Sequence, residues 1–141
     1  MRPMAIVDAS VALKWFVTEP GSDLAIALLQ SQPLAAPDFL LIELRAALWT
    51  RVRRNLSSLE DIRRAENEMA GIGIPLRPSS DFVRNAFDIA LQLSHPIYDC
   101  LYLATALGIN DLLVTADQRF LQVASASRYS GQVVALSSIA A

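Results

Sequence analysis

The sequence predicts an α/β domain built on a central, mostly parallel sheet, and three observations carry that prediction. Short apolar runs (MAIV, LLVT, QVVAL) alternate with longer stretches of helical periodicity. The chain has 141 residues, of which 53% are hydrophobic and only 18% charged. That is enough apolar material for a core without disulfides, and it excludes a disordered chain. No internal repeat, low-complexity tract or linker interrupts it, so residues 1–141 read as one domain.

In chain order, Met4–Val7 reads as a buried first strand, followed by a short helix over Ala9–Phe16 that Thr18–Gly21 breaks. A second helix spans Ser22–Gln30 with Ser22 as its cap, and Leu34–Ala36 forms a short strand. Pro37 and Asp38 open a long helix to about Arg54, with Asp38 in capping position. Ser57 and Ser58 start a solvated helix, SLEDIRRAENEMAGI, whose Glu60–Arg64 pair has i,i+4 spacing and which Gly71 and Gly73 end. Ile74–Leu76 is a brief strand. Ser79 and Ser80 cap a helix to about Leu93, and Pro96 begins another that ends at Gly108. Leu112–Thr115 is a strand, Asp117–Ala124 a helix, and Gln132–Leu136 a last strand.

Composition removes several function classes. A net charge of −2 excludes a globally basic nucleic-acid binder, though not a local basic patch. One cysteine, Cys100, precludes an internal disulfide, and one histidine, His95, leaves no imidazole cluster for zinc or copper. Any metal must therefore be a hard ion on oxygen ligands. No run of about 18 apolar residues exists to cross a membrane. The stretch MRPMAIVDAS has no leader pattern, which predicts a cytoplasmic location. The apolar excess predicts helices buried on most sides or an oligomer interface.

Four acids stand in unusual surroundings. Asp8 closes the strand MAIV, and Asp117 follows the strand LLVT in the same way; in a parallel sheet the carboxyl ends of strands face the ligand. Glu43 has Phe39, Leu40, Ala46 and Ala47 as its helical-face neighbours, an apolar face on which a lone carboxylate loses hydration. Asp99 is the sole charge in PIYDCLYLATALG and has no solvated face to occupy. Singly, Asp8 and Asp117 also read as helix caps, and Glu43 as an acid at the edge of its stripe reaching water or Arg51. Jointly they are more informative. Two carboxylates about 5 Å apart repel by roughly 3 kcal/mol at an effective dielectric near 20, so converging acids call for a cation. Carboxylate and water ligands suit Mg²⁺ or Mn²⁺, which serve phosphoryl chemistry.

The order VDAS…E…YDCLYLATA…VTADQRF resembles the PIN domain, and within it the VapC-like toxins of toxin–antitoxin pairs. The likeness runs from Ile6 to Leu136 and includes DASVALKWFVTEP, PDFLLIELRAAL, YDCLYLATAL and TADQRF in order. It implies a PIN-like three-layer α/β/α domain. Asp8, Glu43, Asp99 and Asp117 would be the catalytic acids, with Asp8, Asp99 and Asp117 holding Mg²⁺ or Mn²⁺ and Ser10 and Thr115 as supporting hydroxyls. The implied activity is an endoribonuclease that cuts RNA with metal-activated water, leaving a 5′-phosphate and a 3′-hydroxyl. The implied partners are an antitoxin protein and a second copy of the chain. Some family members carry another acid beyond the fourth motif, where Arg119 and Phe120 stand here.

Six of the twelve basic residues lie between Arg45 and Arg64, all arginine, able to fork onto phosphate or stack on bases. Arg45, Arg51, Arg53 and Arg54, with Lys14 and Arg119 beside the acids, are the candidates for binding RNA or the antitoxin. The same arginines also read as a solvated hairpin paired with Glu60, Asp61, Glu66 and Glu68. Cys100 reads as core, Trp15 and Trp49 as core or dimer-interface aromatics, and His95 as a turn residue with no general-base role. Two alternatives to a toxin remain open on sequence: a catalytically silent binding module and a housekeeping RNA-processing nuclease.

Overall fold

A computed structural model of the chain describes residues 4–139; residues 1–3 of the N-terminal stretch and residues 140–141 lie outside it. Five strands form one parallel sheet: β1 (Ala5–Val7), β2 (Leu34–Pro37), β3 (Leu76–Arg77), β4 (Leu112–Thr115) and β5 (Val133–Ala135). Their order is β3-β2-β1-β4-β5. The chain lays β1 at the centre, builds outward through β2 and β3, then returns to the other flank of β1 with β4 and β5. Strand order therefore reverses between β1 and β4, the place where parallel α/β sheets open a crevice at their carboxyl edge.

The helices are α1 (Ala9–Ala12), α2 (Ser22–Ser31), α3 (Leu40–Arg53), α4 (Leu59–Met69), α5 (Val83–Leu93), α6 (Ile97–Gly108) and α7 (Gln118–Ser125). Alternation along β1 divides them into two layers. Ile6 faces one core with Leu40, Leu44 and Leu48 of α3, Ile62 and Met69 of α4, Ile89 of α5 and Cys100 to Ala106 of α6. Ala5 and Val7 face the other with Ala25 and Leu28 of α2, Val114 and Leu136. The result is the expected three-layer α/β/α sandwich. Helix α6 is buried over seven consecutive residues, Cys100 to Ala106, as its uninterrupted apolar sequence requires.

Three predicted caps do different work. Gly21, with φ 92°, sits at the start of α2 in a conformation that favours glycine. Ser22 instead braces the preceding turn: its Oγ accepts from the Glu19 N–H at 3.0 Å and its hydroxyl donates to the Val17 carbonyl. Asp38 does not cap α3, which begins after Phe39 without a side-chain cap. Its Oδ1 accepts from the Ser79 N–H at 3.0 Å, while Ser79 Oγ accepts from the Phe39 N–H. This exchange across forty residues clamps the end of β2 to the end of β3. Ser79–Asp81 thus becomes a 3-10 turn, and α5 starts only at Val83. Ser58 caps α4 as expected, accepting from Asp61 N–H. Among the described residues no helix is long and apolar enough to cross a membrane.

Candidate functional site

Each of the four acids stands at the N-terminal end of a helix at the carboxyl edge of the sheet. Asp8 caps α1, Asp117 caps α7, and Glu43 and Asp99 occupy the first turns of α3 and α6. Partial positive charge at a helix start favours a carboxylate there. The pairing of Val7 with Val114 sets Asp8 beside Thr115, on the adjacent strands at the reversal. Phe39 and Tyr98 stack at 5.6 Å with planes 13° apart, drawing together the starts of α3 and α6.

Asp8 is the most enclosed acid, 4% exposed. Its Oδ1 accepts from the Ser10 hydroxyl at 2.6 Å and the Val11 N–H at 3.2 Å, and its Oδ2 from the Thr115 hydroxyl. Burial nonetheless pushes its carboxyl up to about 7, and Asp99 adds to the rise. Ser10 Oγ also accepts from the Ala116 N–H, and Thr115 Oγ1 from the Asp117 N–H, so the two predicted hydroxyls lock β4's exit onto β1's.

The remaining acids each use one oxygen to hold position. Glu43 Oε1 accepts from the Tyr102 hydroxyl at 2.5 Å. Asp99 Oδ2 meets His95 Nε2 at 2.6 Å, and Asp117 Oδ1 accepts from the Phe120 N–H at 3.1 Å. The second oxygens, Glu43 Oε2, Asp99 Oδ1 and Asp117 Oδ2, take no hydrogen bond among the described residues. Burial raises the Glu43 carboxyl above the usual range, and Asp99 and Asp117 raise it further. Asp99 is raised by burial, with a further push from Asp117 that His95 and Arg119 oppose. Tyr102, wholly buried, is held protonated by burial and by Glu43, Asp8 and Asp99. Carboxylates up to 91 positions apart, Asp8 and Asp99, therefore influence each other, and Asp117 joins them through Asp99.

Convergence stops short of a closed ligand shell. Among the described residues no group of three or more His, Cys, Asp or Glu side chains is arranged to hold a metal ion. The donor set is nonetheless all oxygen, carboxylates and hydroxyls, which suits Mg²⁺ or Mn²⁺ and no softer ion.

The basic candidates divide. Arg119 is exposed and close enough to lower the Asp99 carboxyl. Lys14 is not at the site: its Nζ donates to Glu19 Oε1 at 3.1 Å and to the Pro20 carbonyl at 2.8 Å, pinning the turn before α2. Arg51 shares Glu19 at 3.6 Å and does not reach Glu43, whose partner is Tyr102. Arg45 pairs with Glu66 at 2.8 Å, and Arg64 lies near Glu60 and Asp61, as a solvated hairpin requires. Arg53 stacks over Trp49 at 4.9 Å, and Arg54 is exposed at the end of α3. Trp49 is 60% exposed, so it is not a core residue. His95 lies in the connection before α6 as a turn residue should, but its side chain is buried and engaged with Asp99. The i,i+4 spacing of His95 and Asp99 was the available signal; Tyr102 offered none, since its partner lies 59 positions away.

A three-layer parallel α/β fold with carboxylates gathered at its strand-order reversal defines the class. Within it, the chain belongs to the PIN domain family, which matches residues 5–126. It is similar to Ribonuclease VapC3 of Pyrobaculum aerophilum, 29% identical over 120 residues that cover 83% of this chain and 92% of that protein. Ribonuclease VapC12 of Mycobacterium tuberculosis is 28% identical over 121 residues, covering 84% and 91%. Among solved structures, PAE2754 from Pyrobaculum aerophilum superposes with a TM-score of 0.65 at 18% identity, over 97% of this chain and 93% of that one. VapC20 of Mycobacterium tuberculosis, a sarcin–ricin loop cleaving toxin, gives 0.59 at 15% identity, over 82% and 92%. At such identities the structural likeness establishes the fold.

Proposed function

We propose that this PIN domain protein is a Mg²⁺- or Mn²⁺-dependent endoribonuclease, the toxin of a toxin–antitoxin pair, acting in the cytoplasm as a homodimer of single-domain chains. The observation that carries the reading is the gathering of Asp8, Glu43, Asp99 and Asp117 at one edge of the sheet, each influencing at least one other through space. The VapC ribonucleases among its relatives support RNA as substrate and an antitoxin as partner.

Asp8, Asp99 and Asp117 would hold the ion, with Ser10 and Thr115 steadying Asp8. A bound Mg²⁺ or Mn²⁺ supplies phosphodiester polarisation and an acidified water. Glu43 is suited to take the proton of the attacking water. Its carboxyl is raised toward the working pH, Tyr102 fixes one oxygen, and the other is open. Arg119, exposed beside Asp99, is suited to orient the scissile phosphate. Exposed apolar side chains, among them Ile42, Trp49, Phe87 and Leu91, support a surface that a partner covers.

The test is incubation with total RNA, with Mg²⁺ or with EDTA, followed by mapping of the cut ends. The reading expects metal-dependent internal cuts bearing 5′-phosphates and 3′-hydroxyls; intact RNA at millimolar Mg²⁺ refutes it.

A further inference from the structure

We infer that His95 is a positioning residue for the acidic site, one that fixes Asp99 relative to Asp117; the inference rests on the metal-site reading above. His95 is the sole histidine of the chain and is 8% exposed. Its Nε2 stands 2.6 Å from Asp99 Oδ2; with Asp99 ionised, as a cation ligand must be, the imidazole Nε2–H donates and the carboxylate accepts. The bond occupies one oxygen of Asp99 and leaves Oδ1 as the oxygen to offer a cation.

The other side of the ring is equally constrained. It lies against the Phe120 ring, centroids 5.1 Å apart and planes 48° apart. Phe120 is fully buried, and its backbone N–H is the donor that holds Asp117 Oδ1. One imidazole therefore links the third acid, Asp99, to the residue that fixes the fourth, Asp117. Pro96, the N-cap of α6, follows immediately and sets His95 four residues ahead of Asp99 in the first turn. Groups that orient a metal ligand without touching the metal commonly change metal affinity by about 10–100-fold when removed.

Two variants separate positioning from packing. His95→Phe keeps an aromatic ring against Phe120 and removes the donor; His95→Gln loses the ring and retains an amide N–H at similar reach. The readout is the Mn²⁺ dissociation constant, followed by the electron paramagnetic resonance of free Mn²⁺, with circular dichroism reporting folding. The inference expects His95→Phe to weaken Mn²⁺ binding by about 10–100-fold and His95→Gln to restore most of it. A folded His95→Phe protein with wild-type affinity overturns the inference and leaves the metal-site reading standing. A wild-type protein that binds no Mn²⁺ overturns both.

Should His95→Phe fail to fold, the wild-type protein decides. With one histidine, ¹⁵N-labelled imidazole gives a single ring signal set. The inference expects an Nε2–H signal that moves on saturation with Mg²⁺; a signal that Mg²⁺ leaves unmoved overturns it.

Discussion

Removing the charge of Asp8 should stabilise the metal-free protein at neutral pH and weaken it slightly in acid. The Asp8 carboxyl is pushed from an ordinary 3.8 to about 7 by burial. Between those values the unfolded chain has released its proton while the native protein still holds it. The native state then binds more protons, so stability falls as pH rises from about 4 to 7 and levels off above. A shift of about 3 units at 1.36 kcal/mol each sets the loss near 4 kcal/mol. Asp8→Asn abolishes that term. Its amide nitrogen cannot accept from Ser10 or Thr115, so one hydroxyl must turn away, at about 1 kcal/mol. The variant should therefore be about 3 kcal/mol more stable than wild type at pH 8, and about 0.5 kcal/mol less stable at pH 4. Urea denaturation in EDTA, followed by circular dichroism from pH 4 to 8, gives the difference directly. A difference between the two proteins that stays flat, or that favours wild type as pH rises, refutes the reasoning.

Other perturbations follow from the same geometry. Tyr102→Phe leaves Glu43 without its donor; we expect about 1–3 kcal/mol of destabilisation by thermal melting and at least a ~10-fold fall in RNA cleavage. Gly108→Ala places a Cβ 2.6 Å from Cε1 of the buried Phe82, so that ring must shift within the core, and urea melts should show a loss of about 1–3 kcal/mol despite alanine's better helix propensity. Arg119→Ala should lower the salt dependence of RNA binding by about 0.7 in log–log slope, as loss of one single-strand phosphate contact does, whereas Lys14→Met should lower the melting temperature and leave that slope unchanged.

Much of this architecture was legible in the residues because apolar runs report strands and uncharged helices report burial. Strands β1 and β4 emerge from MAIV and LLVT, and Asp8 and Asp117 sit where such strands end. Asp99 was conspicuous because α6 offers no wet face. What the sequence concealed depends on partners distant along the chain. Asp38 has the residue type of a cap, but its donor is Ser79, on the neighbouring strand's exit. Ser22 yields the α2 start to Gly21 because the turn needs a positive φ and its own brace. Lys14 is near Asp8 in sequence, yet the 3-10 turn after α1 swings it toward Glu19 and Pro20. Trp49 has the composition of a core residue and lies on α3's outer face, where Arg53 stacks on it.

The central claim is that carboxylates from opposite ends of the chain share one divalent ion. Anomalous diffraction from crystals soaked in Mn²⁺ tests it most directly. The account predicts a manganese peak about 2.1 Å from oxygens of Asp8, Asp99 and Asp117; saturating Mn²⁺ with no peak among those three side chains, or with its peak elsewhere, contradicts it.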